Sequence, residues 1–562
     1  MSSTSTQAEI KPEASGARYL ALTAMLFAVA MTFIDKTIVA LAAPAIEQSL
    51  GISDSEVQWV INGYLLSLAA LFALGGRLAD VWGHKKVVLI GIVVFAASSA
   101  MCALTPTADY AATWLISFRI IQGAGAALLF PAALAIVVTA FPLNGRGRAL
   151  ALFFAITGGL TAVGPLAGGY LLNIHWSLIF WINIPFAIIG IILTLRMKIN
   201  TEPLREPIDW RGGAVVATGM AVSIYGLQQS AVWGWSDPKT IGFIGVGALV
   251  LAFFVWLQAR TEVPLIKVRI FKDRAFSADN AVLFFSMMTF IPVFFFLSLY
   301  AQVVLGESAT QAGLFLMWFF VGFIVAAQVG GAMLDRSGAK LPMIIGCVLS
   351  AVGYGFWAWK TTDLNAGAIT PYIVLAGAGI GFLLGPASTD AVNRSINASY
   401  GEVTGITQTV RNYGSAVGMA ILGSVMGTIF KNDIVPSLRG LGLTQDQADL
   451  AATSFSGNSG GTSASGAIAN YPPGVADKIQ SIAQLDFARS LQAVFYAMAA
   501  IMVVALICAL LHPGGKVELE TGAAQEVEDE APPQVKPLII KMAIFVGIFA
   551  AIYLVIYLFT NG

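Results

Sequence analysis

The chain has 562 residues, of which 57% are hydrophobic and only 11% charged, with 57 glycines and a formal net charge of zero. Soluble globular proteins carry roughly a quarter of charged residues, so this composition excludes a soluble domain and indicates a polytopic membrane protein. No basic patch suggests a nucleic-acid partner, and the informative property is where the charges sit along the chain.

Residues 1–18 are polar and lack the cationic region and short apolar core of a cleavable signal, so they read as a cytoplasmic tail ahead of a retained anchor. From Tyr19 to Ala43 the chain is almost wholly apolar or small, long enough to cross a bilayer as a helix. Within it stands Asp35, roughly 24 Å from the start of the span at 1.5 Å per residue. An ionised group at that depth costs at least ~2.5 kcal/mol and marks an ion or proton path. Lys36 follows, a cation 100° further around the helix that faces either Asp35 or another neighbour.

Further apolar runs fall at 57–78, 87–104, 111–140, 149–172, 177–196, 212–230, 240–258, 279–304, 310–334, 341–359, 371–392, 403–430 and 488–511, which makes fourteen spans with the first. They group as a six-helix bundle over 19–200, an extra helix pair over 201–260, a basic cytoplasmic linker over 261–278 and a second six-helix bundle over 279–511. That second bundle contains a long outer loop, 431–486, rich in Ser and Gly at its centre. An acidic linker, 512–537, precedes an apolar stretch, 538–559, which reads either as a fifteenth span or as a helix lying against the bundle. With the amino terminus placed in the cytoplasm, 22 of the 31 Lys and Arg fall on that side and six on the other, while Lys36, Arg119 and Arg411 lie inside spans. Cytoplasmic loops favour basic residues, so the asymmetry supports this orientation.

The pattern Gly76-x-x-x-Asp80-x-x-Gly83 returns as Gly331-x-x-x-Asp335-x-x-Gly338, 255 residues later, and implies two homologous halves of the kind that carry substrate between them. Gly76 and Gly83 permit close approach and a tight reversal, and Asp80 can accept backbone hydrogen bonds at the next helix's amino end. Cys102, Cys347 and Cys508 are too scattered for a disulfide framework, and His84, His175 and His512 are too isolated for a ligand cluster at any local spacing, so no metal is expected. No phosphate loop and no nucleophile-and-base constellation appears, which argues against ATP as the energy source and against an enzyme.

Four stretches carry a resemblance: Asp35–Pro44 (DKTIVALAAP), the turn Gly76–Lys86, Arg119–Gly125 (RIIQGAG) and Gly164–Gly169 (GPLAGG), with Trp176–Pro185 (WSLIFWINIP) as a fifth. In this order the chain resembles the major facilitator superfamily, specifically its fourteen-span drug:proton antiporter branch. The resemblance implies an all-α fold of two six-helix bundles plus two extra central helices. It implies Asp35 and Arg119 in proton coupling, Gly76, Asp80, Gly83, Lys85 and Lys86 as a cytoplasmic latch, and Gly164, Pro165, Gly168 and Gly169 as an antiporter motif. Val81 and His84 replace basic residues common in that latch; Arg146 and Arg148 are candidate partners for Asp80. Candidate cavity residues are the aromatic Phe33, Trp59, Tyr64, Phe154 and Trp318 and the polar Gln122, Gln408, Arg411 and Asn412, with Arg411 either lining the cavity or holding a helix contact. The expected activity is proton-coupled efflux of amphipathic compounds by alternating access, in a monomer of the bacterial cytoplasmic membrane, with lipid, substrate and protons as partners and no cofactor. The alternatives are export of one dedicated metabolite, proton-coupled import, and a non-transporting receptor or scaffold.

Overall fold

The computed structural model describes residues 15–141, 143–197, 207–394, 400–441, 444–445 and 473–515. The expectations for 538–559, for the acidic stretch from Lys516 onward, for the first fourteen residues and for the Ser- and Gly-rich centre of the loop lie outside these residues. Every regular element among the described residues is helical. In chain order these are α1 (Ser15–Leu50), α2 (Asp54–Trp82), α3 (His84–Ala103), α4 (Ala111–Ala140), α5 (Leu143–Leu171), α6 (Leu178–Trp181) and α7 (Asn183–Arg196), then α8 (Trp210–Trp233) and α9 (Pro238–Arg260). After them come α10 (Arg274–Leu299), α11 (Ala309–Ser337), α12 (Lys340–Lys360), α13 (Ala366–Arg394), α14 (Tyr400–Gly440) and α15 (Pro473–Leu511).

Twelve of the helical runs, with α6 and α7 joined as one, are long and apolar enough to cross a membrane; α5 and α8 are two further long helices in the same bundle. Several starts are written locally. Asp273 accepts from the Ala275 amide at 2.7 Å ahead of α10, and Ser308 and Gln311 cap each other's backbone amides at the start of α11. Helices also overrun the apolar runs. Of the stretch expected as outer loop, 431–440 continue α14 and 473–486 begin α15. The reason is apolar spacing one turn apart: Ile434 and Leu438 are buried on one helix, Ile479, Ala483 and Phe487 on the other, and Phe430 meets Phe487 at 5.3 Å between ring centroids.

The two halves repeat at the level of contacts. A Cβ on Gly75 of α2 would lie 2.1 Å from the Ala127 carbonyl of α4, and one on Gly330 of α11 would lie 2.6 Å from the Phe382 carbonyl of α13. Both residues of the second pair are offset by 255 from the first, as in the sequence repeat. Gly83 and Gly338 share positive φ, 91° and 77°. The extra pair sits at the junction: α8 packs on α9 and on both α2 and α14. Polar contacts fasten it there, from Asn62 to Gln228 (2.9 Å), Ser230 to Ser424 (2.6 Å) and Ser223 to Tyr413 (2.7 Å). Such bonds serve between apolar helices because no hydrophobic force distinguishes helix from lipid.

One end of the bundle carries the Gly83 turn; we call it the turn end. At the opposite end the halves are bridged. Asn173 donates to Thr310 Oγ1 at 2.8 Å, Thr310 donates to the Gly169 carbonyl at 2.7 Å, and Ser298 and Gln302 both reach the Leu41 carbonyl.

Candidate functional site

Asp35 is fully buried on α1 and faces α4 and the start of α7. Its carboxylate accepts from Arg119 Nη1, from Gln122 Nε2 at 3.0 Å and from Asn183 Nδ2 at 3.3 Å. Arg119 and Gln122 are three residues apart on α4, so both side chains reach the same patch of α1. Arg119 Nη1 also donates to Gln122, its Nε donates to the Val60 carbonyl at 3.0 Å, and its guanidinium lies 4.4 Å from the Tyr64 ring centroid. Burial of either ion alone would be costly, and together they are stable because every strong acceptor has a charged or amide donor.

Asn183 is the member that the sequence reading did not single out. It also donates to Ser99 Oγ at 3.0 Å, and Ser99 in turn donates to the Phe180 carbonyl at 2.8 Å. The available signal was an amide inside an apolar run just before Pro185, where α6 gives way to α7.

Lys36 turns away from the Asp35 carboxylate. Its Nζ donates to Asn412 Oδ1 on α14 at 3.1 Å and stands 5.6 Å from the Phe33 ring centroid. Gln408, Arg411 and Asn412 lie within one turn of α14, and Lys36 links Asn412 to the Phe33 ring, which itself packs on Phe130 of α4 at 5.5 Å. Tyr64 and Gln122 belong to the Asp35 centre, both fully buried. Two of the aromatic candidates lie away from this group. Trp59 packs on Tyr225 of α8 at 6.1 Å and so faces the extra pair. Trp318 is 47% exposed and shares an outward stripe of α11 with Leu314, Val321 and Val325, residues spaced for one helix face. The Phe154 side chain lies outside the described residues.

In the latch, Gly83 makes the reversal, and Lys85 Nζ donates to the Leu195 and Met197 carbonyls, tying α3 to the end of α7; Lys86 is exposed. The close approach belongs to Gly75, because a Cβ on Gly76 would meet only Pro131 at an ordinary 3.6 Å. Asp80 reaches the first residue of α3 through the His84 ring, 3.2 Å away, and not through backbone amides. The side chains of Arg146, Arg148 and Asp335 lie outside the described residues.

The four residues of the glycine motif divide between two neighbours. A Cβ on Gly164 would lie 2.0 Å from Thr37 Oγ1, and one on Gly168 would lie 2.8 Å from Ile38, both on α1 beside Asp35. Gly169 would meet Thr310 Cα at 2.9 Å, and the Pro165 carbonyl faces Gly313, both contacts to α11 in the other half. Among the helix-14-side glycines, Gly414 and Gly418 press on the Phe284 and Met288 carbonyls of α10, which is helix packing.

Tertiary structure also assembles a second charged centre, at the turn end. His512, isolated in sequence, places Nε2 3.1 Å from Asp390 Oδ2 and 3.6 Å from Asp279 Oδ1, and Arg394 Nε donates to Asp390 at 2.6 Å. The Gly514 amide donates to His512 Nδ1 at 3.0 Å, so Nε2 carries the ring hydrogen and has no lone pair for a metal. Asp279 on α10, Asp390 on α13 and His512 just past α15 are each more than 100 residues from the next in sequence, which local spacing does not reveal.

Residues 25–419 match the family model of the Major Facilitator Superfamily. The chain is 32% identical over 413 residues to the tetracenomycin C resistance and export protein of Streptomyces glaucescens, covering 72% of this chain and 76% of that protein. It is 28% identical over 421 residues to multidrug resistance protein 3 of Bacillus subtilis, covering 74% and 81%. In fold it is similar to a bacterial homologue of the human lysosomal transporter Spinster, with a TM-score of 0.55 and 17% identity over 89% of this chain and 98% of the other. With that model matched over most of its length and the helical architecture to accompany it, the chain belongs to the major facilitator superfamily.

Proposed function

We propose that this protein is a multi-pass membrane exporter that expels amphipathic molecules in exchange for protons by alternating access. The observation that carries the reading is the buried carboxylate of Asp35, held by Arg119, Gln122 and Asn183. Its relatives named for export of, or resistance to, antibiotics support the direction of transport. The basic-residue asymmetry supports a cytoplasmic turn end and a cell-membrane location, and α5 and α8 complete fourteen spans. Protonation of Asp35 from the outer side releases Arg119 and its partners, and their rearrangement loosens α4 and α7 from α1. The bridge at the opposite end must then open for substrate to leave. Moving one charge through 100 mV contributes about 2.3 kcal/mol, enough to concentrate a neutral molecule roughly fiftyfold. Protons are the coupling ion and the protein acts as a monomer.

The test is substrate-induced proton release in sealed proteoliposomes, with cationic, neutral and acidic lipophiles, comparing wild type with Asp35→Asn. Coupled proton movement in the wild type, lost in Asp35→Asn, is the expected result. A folded wild-type protein that moves no protons with any compound overturns the reading.

A further inference from the structure

We propose that the seam between the halves contains an anion subsite, formed by Lys36 of α1 with Arg411 and Asn412 of α14, which takes the carboxylate or equivalent acidic group of an amphipathic substrate. The inference rests on the export reading above and assigns its substrate class.

Lys36 and Arg411 are cations inside helices of membrane length, where a charge needs a partner. Among the described residues neither has a carboxylate within ion-pair distance. Asp35, the acid adjacent to Lys36, spends its oxygens on Arg119, Gln122 and Asn183. Lys36 Nζ has one hydrogen bond, to a neutral amide oxygen. Arg411 Nε is buried with no hydrogen-bond partner, and Arg411 is the chain neighbour of Asn412, the residue that Lys36 reaches from the other half. Asn412 Oδ1 is taken by Lys36, which leaves its amide hydrogens as donors beside the ammonium. The arrangement is thus an ammonium, a guanidinium and an amide, all donors, with no counter-ion. Two like charges from opposite halves repel across the seam. An acid between them reverses that repulsion and holds α1 and α14 together, one cation from each half. The Phe33 ring beside Lys36 offers an apolar face for the rest of the molecule. A cationic substrate gains nothing here.

The probe is N-dansylglycine, a carboxylate at neutral pH, paired with dansylglycinamide, which has the same body without the charge. Uptake into proteoliposomes under an imposed proton gradient is expected to favour the acid over the amide at least tenfold in kcat/KM. Lys36→Gln and Arg411→Gln each bring that ratio toward one, and Lys36→Arg restores it. At equal proton stoichiometry the acid should also move one more charge per turnover than the amide, read as a steeper dependence on a potassium–valinomycin potential. Transport of cationic dyes or of the amide without preference for the acid overturns the subsite and leaves export standing. An acid preference unchanged in both Gln variants overturns the assignment to these residues. No coupled transport of any compound by the folded protein overturns export itself and the subsite with it.

Discussion

Asp35 and Arg119 each carry a charge at membrane depth, and each is tolerable because the other is there. Removal of one partner leaves a buried ion surrounded by Tyr64, Phe180 and aliphatic helices. Arg119→Met is therefore expected to cost about 3–5 kcal/mol of stability, and adding Asp35→Asn should recover most of it. Thermal unfolding in detergent of both single variants and the double variant measures this. If the double variant is less stable than either single one, the two charges are not a coupled pair. Asn183 shows what a sequence reading loses at this scale. An amide in an apolar run was visible, but that its two hydrogens divide between Asp35 and Ser99 depends on α3 and α7 meeting α1, which no local pattern encodes.

At the scale of elements, glycines set how closely helices pack. Gly75 and Gly330 put α2 against α4 and α11 against α13 with no room for a side chain, whereas Gly76 has ordinary space around it. Gly75→Ala should accordingly destabilise at the upper end of the ~1–3 kcal/mol typical of overpacking, with Gly76→Ala close to neutral. Melting temperatures of the two variants decide this; a larger loss for Gly76→Ala than for Gly75→Ala would mean that the motif glycine, not its neighbour, governs the contact. The repeat was legible because 255 residues separate two similar turns. Which of two adjacent glycines touches the facing carbonyl depends on helix rotation, and a motif read as a string does not specify rotation. Likewise Trp318, Leu314 and Val325 share a stripe that could have faced a cavity or lipid, and the packing of α11 on α13 and α5 turned it outward.

For the whole molecule, export by alternating access requires the end bridged by Asn173, Thr310 and Gly169 to open in every cycle. Joining Asn173→Cys to Thr310→Cys with a short cleavable linker should stop transport, and cleavage should restore it. Continued transport through the linked protein would mean that α5 and α11 need not separate there. Cys102 and Cys347 are buried and interfere little, and the partly exposed Cys508 is replaced by Ser in the linked protein. The chain's apolar runs, its repeat and its motifs determined by themselves the helices, the two halves and the presence of a charged pair, because helix length, bilayer thickness and the cost of a buried ion act on each segment locally. Only the tertiary structure decided that Lys36 turns to Asn412 and leaves Asp35 to α4 and α7, that α8 lies in the seam between α2 and α14, and that Asp279, Asp390 and His512 meet. Those outcomes follow from how whole helices rotate and pack against distant partners, where shape and donor–acceptor matching between segments hundreds of residues apart select one arrangement.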